Sequence, residues 1–333
     1  MRIAILAGGV GGSRFTRGVR AAYPDAELTV IVNTADDIVL HGLHVSPDLD
    51  TVMYALGGGI DVERGWGRAE ETWQVGAELK AYGAEPSWFN LGDRDLATHV
   101  IRSQLLTAGY PLSDITAALC TRWLPAEDGP GSLTLRPMTD DRVETHVVIA
   151  DTDAPGGRRA VHFQEYWVRL HAGPDAQSVH YVGIESARPG PGVIETITDA
   201  ELILVAPSNP VVSIGPIVAV PGIRAAVQRA SAPVIGFSGV LDGAPVLGMA
   251  HRLLPAIGVE VDAAAVGLHY GSRGPVGDAT PGLLDAWVVD ERDADGLDRL
   301  RAAGLRARAT PLIMSDPEAT ATFVRHGVEL ADG

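Results

Sequence analysis

The fold is decided by the opening stretch Ile3-Ala4-Ile5-Leu6-Ala7-Gly8-Gly9-Val10-Gly11-Gly12-Ser13-Arg14. Five apolar residues predict a short buried strand, and the spacing that follows predicts a helix over Arg14–Ala22. Glycine has no Cβ, so the segment between them lets a ligand approach the backbone, and the start of a helix favours an anion. We therefore predict a diphosphate site on the backbone of Gly9, Val10, Gly11, Gly12 and Ser13.

The pattern of glycines narrows the kind of ligand. The dinucleotide pattern G-x-G-x-x-G fails, because the sixth position counted from Gly9 is Arg14, and the sequence contains no G-K-[ST] of a Walker loop. These mismatches argue against a redox enzyme that uses a nicotinamide. The alternative to a diphosphate site is a tight turn between strand and helix whose glycines serve packing alone.

Further apolar runs alternate with helical patterns along the rest of the chain. The runs that predict strands are Leu28–Val32, Val143–Ala150, Leu202–Ala206, Val234–Phe237 and Ala286–Val289. Helical spacing is found over Leu49–Leu56, Glu70–Tyr82, Leu96–Ala108 and Ser113–Thr121, with Ser113 as a helix N-cap. This alternation predicts an α/β protein with a Rossmann-like, mostly parallel sheet and helices on both faces.

The domain organisation follows from the same pattern. We treat 1–333 as a single domain, with a helix-rich insertion at 48–123 that completes the substrate cleft. The stretch Leu124–Asp141 is rich in Pro, Gly and Asp, which predicts an exposed connection.

Composition excludes several classes of function. The chain has 333 residues and 46% hydrophobic residues, which excludes a disordered protein; 26 basic against 42 acidic residues give a net charge of −16. That balance argues against nucleic acid as a partner. No apolar stretch reaches the roughly 18 residues of a membrane span, and the start lacks the features of a signal peptide, so we expect a cytoplasmic protein. The single cysteine, Cys120, is expected to be buried.

Acidic residues follow the second predicted strand. The carboxyl ends of neighbouring parallel strands meet at one edge of the sheet, so these carboxylates should lie near the glycines. Carboxylates beside a diphosphate are unfavourable without a cation between them, and Mg²⁺ prefers oxygens of both kinds. We predict Asp37 and Asp50 as the Mg²⁺ ligands. Asp48 is either a further site residue or only the N-cap of the next helix, and His41 and His44 fit loop residues better than a zinc site.

Three later segments carry further candidates. In the run Asn90–His99, Arg94 is free to contact a ligand and Asp95 is a possible helix cap; a solvated cap with a surface ion pair is the alternative. Ser208 and Asn209 follow a predicted strand between two prolines and should bind nucleotide, unless that turn satisfies only its own backbone. The run Phe163–Trp167 is either an aromatic wall for a flat ligand or part of the core.

Read together, six runs resemble the 2-phospho-L-lactate transferase family of coenzyme F-420 biosynthesis (the CofD/FbiA group), most closely its bacterial phosphoenolpyruvate transferase type. They keep one order and are spread over most of the chain. The runs are GGVGGSRF at 8–15, NTADD at 33–37, HGLHVSPDLDT at 41–51, FNLGDRDLATH at 89–99, FQEYWV at 163–168 and APSNPVVSIGPI at 206–217.

The resemblance implies a Mg²⁺-dependent transferase, expected to be a homodimer. Such proteins move a phosphoenolpyruvyl or 2-phospho-L-lactyl group from a guanosine-diphospho-activated donor to the deazaflavin alcohol Fo (7,8-didemethyl-8-hydroxy-5-deazariboflavin). They release GMP and form dehydro-F-420-0 or F-420-0, and the sequence does not decide between the two donors. The resemblance implies deazaflavin contacts at Asp50 and Arg94, and we add Asn90 from the same run.

The expected catalytic residues are Asp37, Asp50 and Arg94. Asp50 would also orient or deprotonate the Fo hydroxyl, and Arg94 would contact Fo or the migrating phosphoryl group. Regulatory relatives that bind nucleotide-sugars share the glycine loop, so a binding protein without transfer chemistry is the alternative function.

Overall fold

The computed structural model describes residues 1–61, 63–124, 129–274 and 281–332. The strands in these ranges are β1 (Arg2–Ala7), β2 (Glu27–Val32), β3 (Ile38–Leu40), β4 (Leu43–Val45), β5 (Leu133–Pro137), β6 (Glu144–Ala150), β7 (Arg158–His162), β8 (Ala176–Val182), β9 (Leu202–Val205), β10 (Val234–Phe237), β11 (Val240–Leu241), β12 (Ala244–Pro245), β13 (Ala286–Val289) and β14 (Arg306–Ala309).

Seven of these strands form the central sheet, in the order β14-β13-β10-β9-β1-β2-β5. Every pairing between neighbours is parallel, with Ile5 opposite Val30 of β2 and Leu204 of β9. β2, which follows β1 in the chain, pairs with one edge of β1, and β9, which comes much later in the chain, pairs with the other edge. The strand order therefore reverses between β1 and β9, and ligands of open α/β sheets bind at the carboxyl ends of strands at such a point.

The helices are α1 (Gly9–Ala22), α2 (Pro47–Leu56), α3 (Gln74–Ala81), α4 (Leu96–Thr107), α5 (Leu112–Cys120), α6 (Val193–Thr198), α7 (Gly215–Ala219), α8 (Ile223–Arg229), α9 (Ala250–Leu253), α10 (Ala263–Tyr270), α11 (Leu297–Ala302) and α12 (Pro317–Asp332). They cover both faces of the sheet. Ile3 and Ile5 of β1 pack on the face that holds α1, α2 and α12, while Ala4 and Leu6 pack on the face that holds α6, α8 and α10. The predicted fold class, a mostly parallel α/β sheet with helices on both faces, is confirmed.

Two predictions about strands are wrong. Val143–Ala150 does not join the parallel sheet; β6 lies at the centre of a separate antiparallel sheet of order β7-β6-β8. Its residues alternate between buried and half-buried, as in a strand with one covered face. The connection predicted over Leu124–Asp141 contains β5, an edge strand of the central sheet, while residues 125–128 lie outside the described ranges.

Helix boundaries also differ from the sequence pattern. α1 begins at Gly9 rather than Arg14, so the glycine segment forms its first turns. Ser113 is not an N-cap, because α5 begins at Leu112 and the Ser113 amide and hydroxyl both donate to Asp140. Helices α2–α5 fall almost entirely in the region predicted as an insertion, and the assignment of one domain stays a prediction.

Within the described ranges no single helix has the length and hydropathy to cross a membrane. One sharply bent pair, Pro210–Ala219 with Ile223–Arg229, meets the criteria of length and composition alone. Most of its apolar side chains are buried in the protein core, as in the core helices of many proteins.

Candidate functional site

A cavity of about 800 Å³ opens at the carboxyl edge of the central sheet, where the strand order reverses. One side is formed by Gly8–Gly11 after β1 and by Pro207–Asn209 after β9. The region of α2 and α4 adds Asp50, Asp95 and His99, and Asp48 at the start of α2 lies against Gly8 and Gly9. Apolar and aromatic side chains complete the lining: Val45, Trp66, Phe89, Phe163, Trp167, Leu247, Met249, Leu312 and Met314. The volume is that of an ordinary small-molecule site.

The glycines are required by close packing around the start of α1. A Cβ on Gly8 would lie 2.6 Å from Asp48 Oδ2 and 2.8 Å from Ser213 Cβ, and one on Gly12 would lie 2.7 Å from Ala7 Cβ. Gly9 has a φ of +58°, which favours glycine. The glycines therefore serve both packing and access to the cavity.

The predicted diphosphate contacts divide into two groups. Gly9, Val10 and Gly11 line the cavity at the first turn of α1, where backbone N–H groups have no acceptor within the helix. The Gly12 amide, by contrast, donates to the Gly8 carbonyl, and the buried Ser13 hydroxyl donates to the Val10 carbonyl at 2.9 Å. Gly12 and Ser13 thus support the turn from behind rather than facing the cavity.

The loop after β9 is tied to the loop after β1. The Ser208 hydroxyl donates to the Gly8 carbonyl at 2.9 Å, and the Gly8 amide donates to that hydroxyl at 3.2 Å. The Asn209 side-chain oxygen accepts from the amides of Val211 and Val212. Both residues line the cavity and both also bond to backbone groups, and nucleotide binding by them stays a prediction.

Two carboxylates face the cavity beside α1, and they are Asp36 and Asp48. Asp48 accepts from the Asn33 amide at 3.0 Å and from the Gly9 backbone N–H, so it is bound to α1 rather than capping its own helix. Burial raises the pKa of Asp48 to about 7, and Asp37 adds to the rise. Burial and the charge of Asp48 hold the pKa of Asp36 well above its usual range. Two buried carboxylates whose pKa values are both raised are stabilised when they share a proton or when a cation lies between them.

Asp37, which the sequence placed with Asp50 as a metal ligand, does not line the cavity. Its Oδ2 accepts from the Ser46 hydroxyl at 2.6 Å and lies 2.9 Å from His44 Nε2. The side chain that turns into the cavity is that of the preceding residue, Asp36. A loop pattern gives no direction for a side chain, so the sequence could not distinguish these neighbours.

Asp50 does line the cavity, but it is held in an ion pair. Arg102, a fully buried residue of α4, donates to both of its oxygens, with Nη1 3.0 Å from Oδ2. His99 Nδ1 lies 3.7 Å from the same oxygen. Burial raises the pKa of Asp50, and the charges of Arg102 and His99 oppose that rise.

The run Asn90–His99 contributes other residues than expected. Asn90, Asp95 and His99 line the cavity, whereas Arg94 does not; its Nη1 lies 3.1 Å from Glu70 Oε2. Asp95 accepts from the Tyr54 hydroxyl at 2.5 Å and is not merely a cap of α4. Arg94, which was expected to be free to contact a ligand, therefore forms a surface ion pair with Glu70 in this structure.

The aromatic run after β7 splits between core and cavity. Tyr166 is fully buried, while Phe163 and Trp167 line the cavity, with Trp167 42% exposed. Arg64 and Trp66 also line the cavity, and the Arg64 guanidinium lies about 5.5 Å from the rings of both Trp66 and Trp73. Flat aromatic surface is therefore available at the entrance.

Three residues of the site were not predicted from the sequence: Asp36, His99 and Arg102. The spacing Asp95-x-x-x-His99-x-x-Arg102 was available in the sequence, and residues three and four apart share one face of a helix. That signal predicts a charged helix face towards the acidic loop. No comparable signal distinguishes Asp36 from Asp37.

The fold and the site define the class: a Rossmann-like α/β protein whose ligand cavity combines a glycine-rich helix start with paired carboxylates. Comparison with known proteins gives the particular family. Residues 3–317 match the family model described as 2-phospho-L-lactate transferase CofD, and the chain belongs to that family.

Relatives of high similarity carry one name. The chain is 58% identical to a phosphoenolpyruvate transferase of Streptomyces coelicolor over 332 residues, covering 100% of this chain and 98% of the relative. It is 52% identical to a protein of the same name from Mycolicibacterium smegmatis, covering 99% of each. Among solved structures, the protein BH3568 of Bacillus halodurans superimposes with a TM-score of 0.60 over 98% of this chain and 99% of that chain at 17% identity, which supports the fold alone.

Proposed function

We propose that this chain transfers a phosphoenolpyruvyl group, or a 2-phospho-L-lactyl group, from a guanosine-diphospho-activated donor to Fo and releases GMP. The observation that carries the proposal is the cavity at the strand reversal, where amides of the first turn of α1 and several carboxylates meet. Relatives that match over the full length are named phosphoenolpyruvate transferases, and the family model names 2-phospho-L-lactate.

The donor's diphosphate fits the first turn of α1. The backbone N–H groups at Val10 and Gly11 and the helix dipole favour an anion there. Asp48, however, occupies the same turn through its contact with Gly9. A diphosphate and this carboxylate are compatible when a cation lies between them.

We therefore place the expected Mg²⁺ at Asp36 and Asp48 rather than at Asp37 and Asp50. Asp36 Oδ1 is buried without a hydrogen-bond partner among the described residues, and both carboxylates have raised pKa values. Mg²⁺ prefers one or two carboxylates together with substrate phosphates. When bound, the ion would neutralise charge on the transferred phosphoryl group.

The acceptor fits the rest of the cavity lining. Trp66, Phe163 and Trp167 offer faces for a flat ring, and Asp50 lies where it can accept a hydrogen bond from an alcohol. In the reaction the hydroxyl oxygen bonds to the phosphorus of the three-carbon acid. The bridging P–O bond to GMP breaks, and the hydroxyl proton is released. Because Arg102 already engages both oxygens of Asp50, orienting the hydroxyl is the role that suits Asp50.

Mass spectrometry of reactions with Fo, Mg²⁺ and each synthetic guanosine donor tests the proposal. We expect GMP and a deazaflavin product whose mass identifies the preferred donor. Binding of the donor without release of GMP would refute the transferase and favour the regulatory alternative. Omission of Mg²⁺ provides the matched test of the metal.

A further inference from the structure

A buried ionic network lies at the acceptor side of the cavity and extends beyond the residue used above. Arg102 is 1% exposed, and its guanidinium contacts both oxygens of Asp50. A guanidinium that binds a carboxylate through two nitrogens fixes its plane as well as its position. Each carboxylate oxygen has two acceptor positions, so Asp50 keeps capacity for a further donor.

Asp95 is a second carboxylate of the same kind. Its Oδ1 accepts from the Tyr54 hydroxyl at 2.5 Å, and its Oδ2 lies 3.4 Å from His99 Nε2. Tyr54 is itself buried and bound to Thr98 at 2.8 Å. Asp95 is therefore held from two sides while it borders the cavity.

His99 joins the two carboxylates. Its Nδ1 lies 3.5 Å from Arg102 Nη1 and 3.7 Å from Asp50 Oδ2, and its Nε2 lies 3.4 Å from Asp95 Oδ2. One ligand atom from each of Asp50, Asp95 and His99 lies within 4.8 Å of the others. Arg102 supplies one positive charge against these two carboxylates, and the lone pairs that remain on both carboxylates favour hydrogen-bond donors.

We propose that Asp50 and Asp95 together bind two hydroxyl groups of the acceptor's alcohol chain, and that Arg102 and His99 are positioning residues for the two carboxylates. The inference rests on the proposed function and deepens it: the acceptor class is a polyhydroxylated chain, recognised at the reacting hydroxyl and at a neighbouring one. Asp95 is the contact that the resemblance does not include.

The first test replaces Asp95 with Asn. Loss of a charged acceptor for a hydroxyl should raise the KM for Fo about tenfold, with the KM for the donor and the Mg²⁺ dependence unchanged. Asp114→Asn, which neutralises an exposed acidic residue of α5, is the matched control and should leave every constant unchanged. A deoxy analogue of Fo that lacks the neighbouring hydroxyl should bind wild type about tenfold more weakly than Fo does. The Asp95→Asn variant should bind this analogue no more weakly than it binds Fo.

The second test concerns Arg102. Arg102→Met leaves Asp50 buried without its partner, so the double variant Asp50→Asn/Arg102→Met, which removes that charge, is measured beside it. If Arg102 acts through Asp50, the double variant has the same turnover as Asp50→Asn alone, and Arg102→Lys recovers part of the turnover lost in Arg102→Met. An additive loss in the double variant would assign Arg102 a different role and refute the positioning.

The outcomes separate the two levels of inference. No turnover of Fo by wild type, with any donor, would refute the proposed function itself. Turnover by wild type with an unchanged KM for Fo in Asp95→Asn would refute only the two-carboxylate site. A loss of Mg²⁺ dependence in Asp95→Asn would make the cluster a metal site and would also overturn the inference.

Discussion

Asp48→Asn tests the acidic pair beside α1 directly. The substitution keeps the size of the side chain and an oxygen that accepts from Asn33 and Gly9, but it removes the negative charge. In the native protein without a divalent cation, this carboxylate has a pKa of about 7 because it is buried, against 3.8 in the unfolded chain.

The size of the effect follows from that difference. A rise of about three pKa units corresponds to about 4 kcal/mol, and water in the open cavity reduces this to about 2 kcal/mol. Because the pKa of Asp48 is raised in the folded state, the contribution of Asp48 to the free energy of unfolding is complete below about pH 4. That contribution is lost as pH rises through about 7. Asp48→Asn should therefore be more stable than wild type at about pH 8 in EDTA, by about 2 kcal/mol, and the difference should shrink towards about pH 5.

Urea unfolding at a series of pH values, in EDTA and in Mg²⁺, measures the pH dependence of the stability difference and the effect of Mg²⁺ on it. Mg²⁺ should stabilise wild type at about pH 8 and leave Asp48→Asn unchanged, since a ligand stabilises the state that binds it. Asp114→Asn should behave as wild type in both buffers. A variant with the wild-type pH dependence, or with the wild-type response to Mg²⁺, would refute the reasoning about Asp48.

Three further substitutions test neighbouring features. Gly8→Ala places a methyl group 2.6 Å from the carboxylate of Asp48, so Mg²⁺ affinity in titration calorimetry should fall about tenfold or more, whereas a wild-type affinity would contradict the packing. Ser208→Ala removes both hydrogen bonds to Gly8 and should lower the free energy of unfolding by about 1–2 kcal/mol in urea; no change would show that the link is unimportant for stability. Arg94→Gln should change the KM for Fo less than about threefold, because Arg94 pairs with Glu70 outside the cavity; a larger rise would support the contact implied by the family resemblance.

Much of the central sheet could be predicted from sequence because its inner strands are continuous apolar runs. β1, β2, β9, β10 and β13 all lie within one residue of their predicted bounds. β5 and β14 were missed, and both are edge strands with arginine among their residues. An edge strand packs on fewer neighbours, so its sequence carries a weaker apolar signal.

The candidate site was predictable in its regions and in some of its side chains, such as Asp50 and Ser208, but not in others. Hydrogen bonds between distant segments decide which carboxylate faces the cavity, as Ser46 and His44 do for Asp37. Arg102 rather than Arg94 reaches Asp50, because Arg102 is on the face of α4 that packs against Asp50, whereas Arg94 precedes that helix. Such choices depend on tertiary packing, which a local pattern does not contain.

The pair of hydrogen bonds between Ser208 and Gly8 has a consequence for biosynthesis. It joins segments 200 residues apart in the chain, so the amides that would meet the phosphates are made early, but part of their support comes from a segment made much later. A ribosome-bound fragment that ends before residue 208 contains the whole glycine turn, yet we expect that it does not bind nucleotide. Only chains that have been made past residue 208 would then bind substrate.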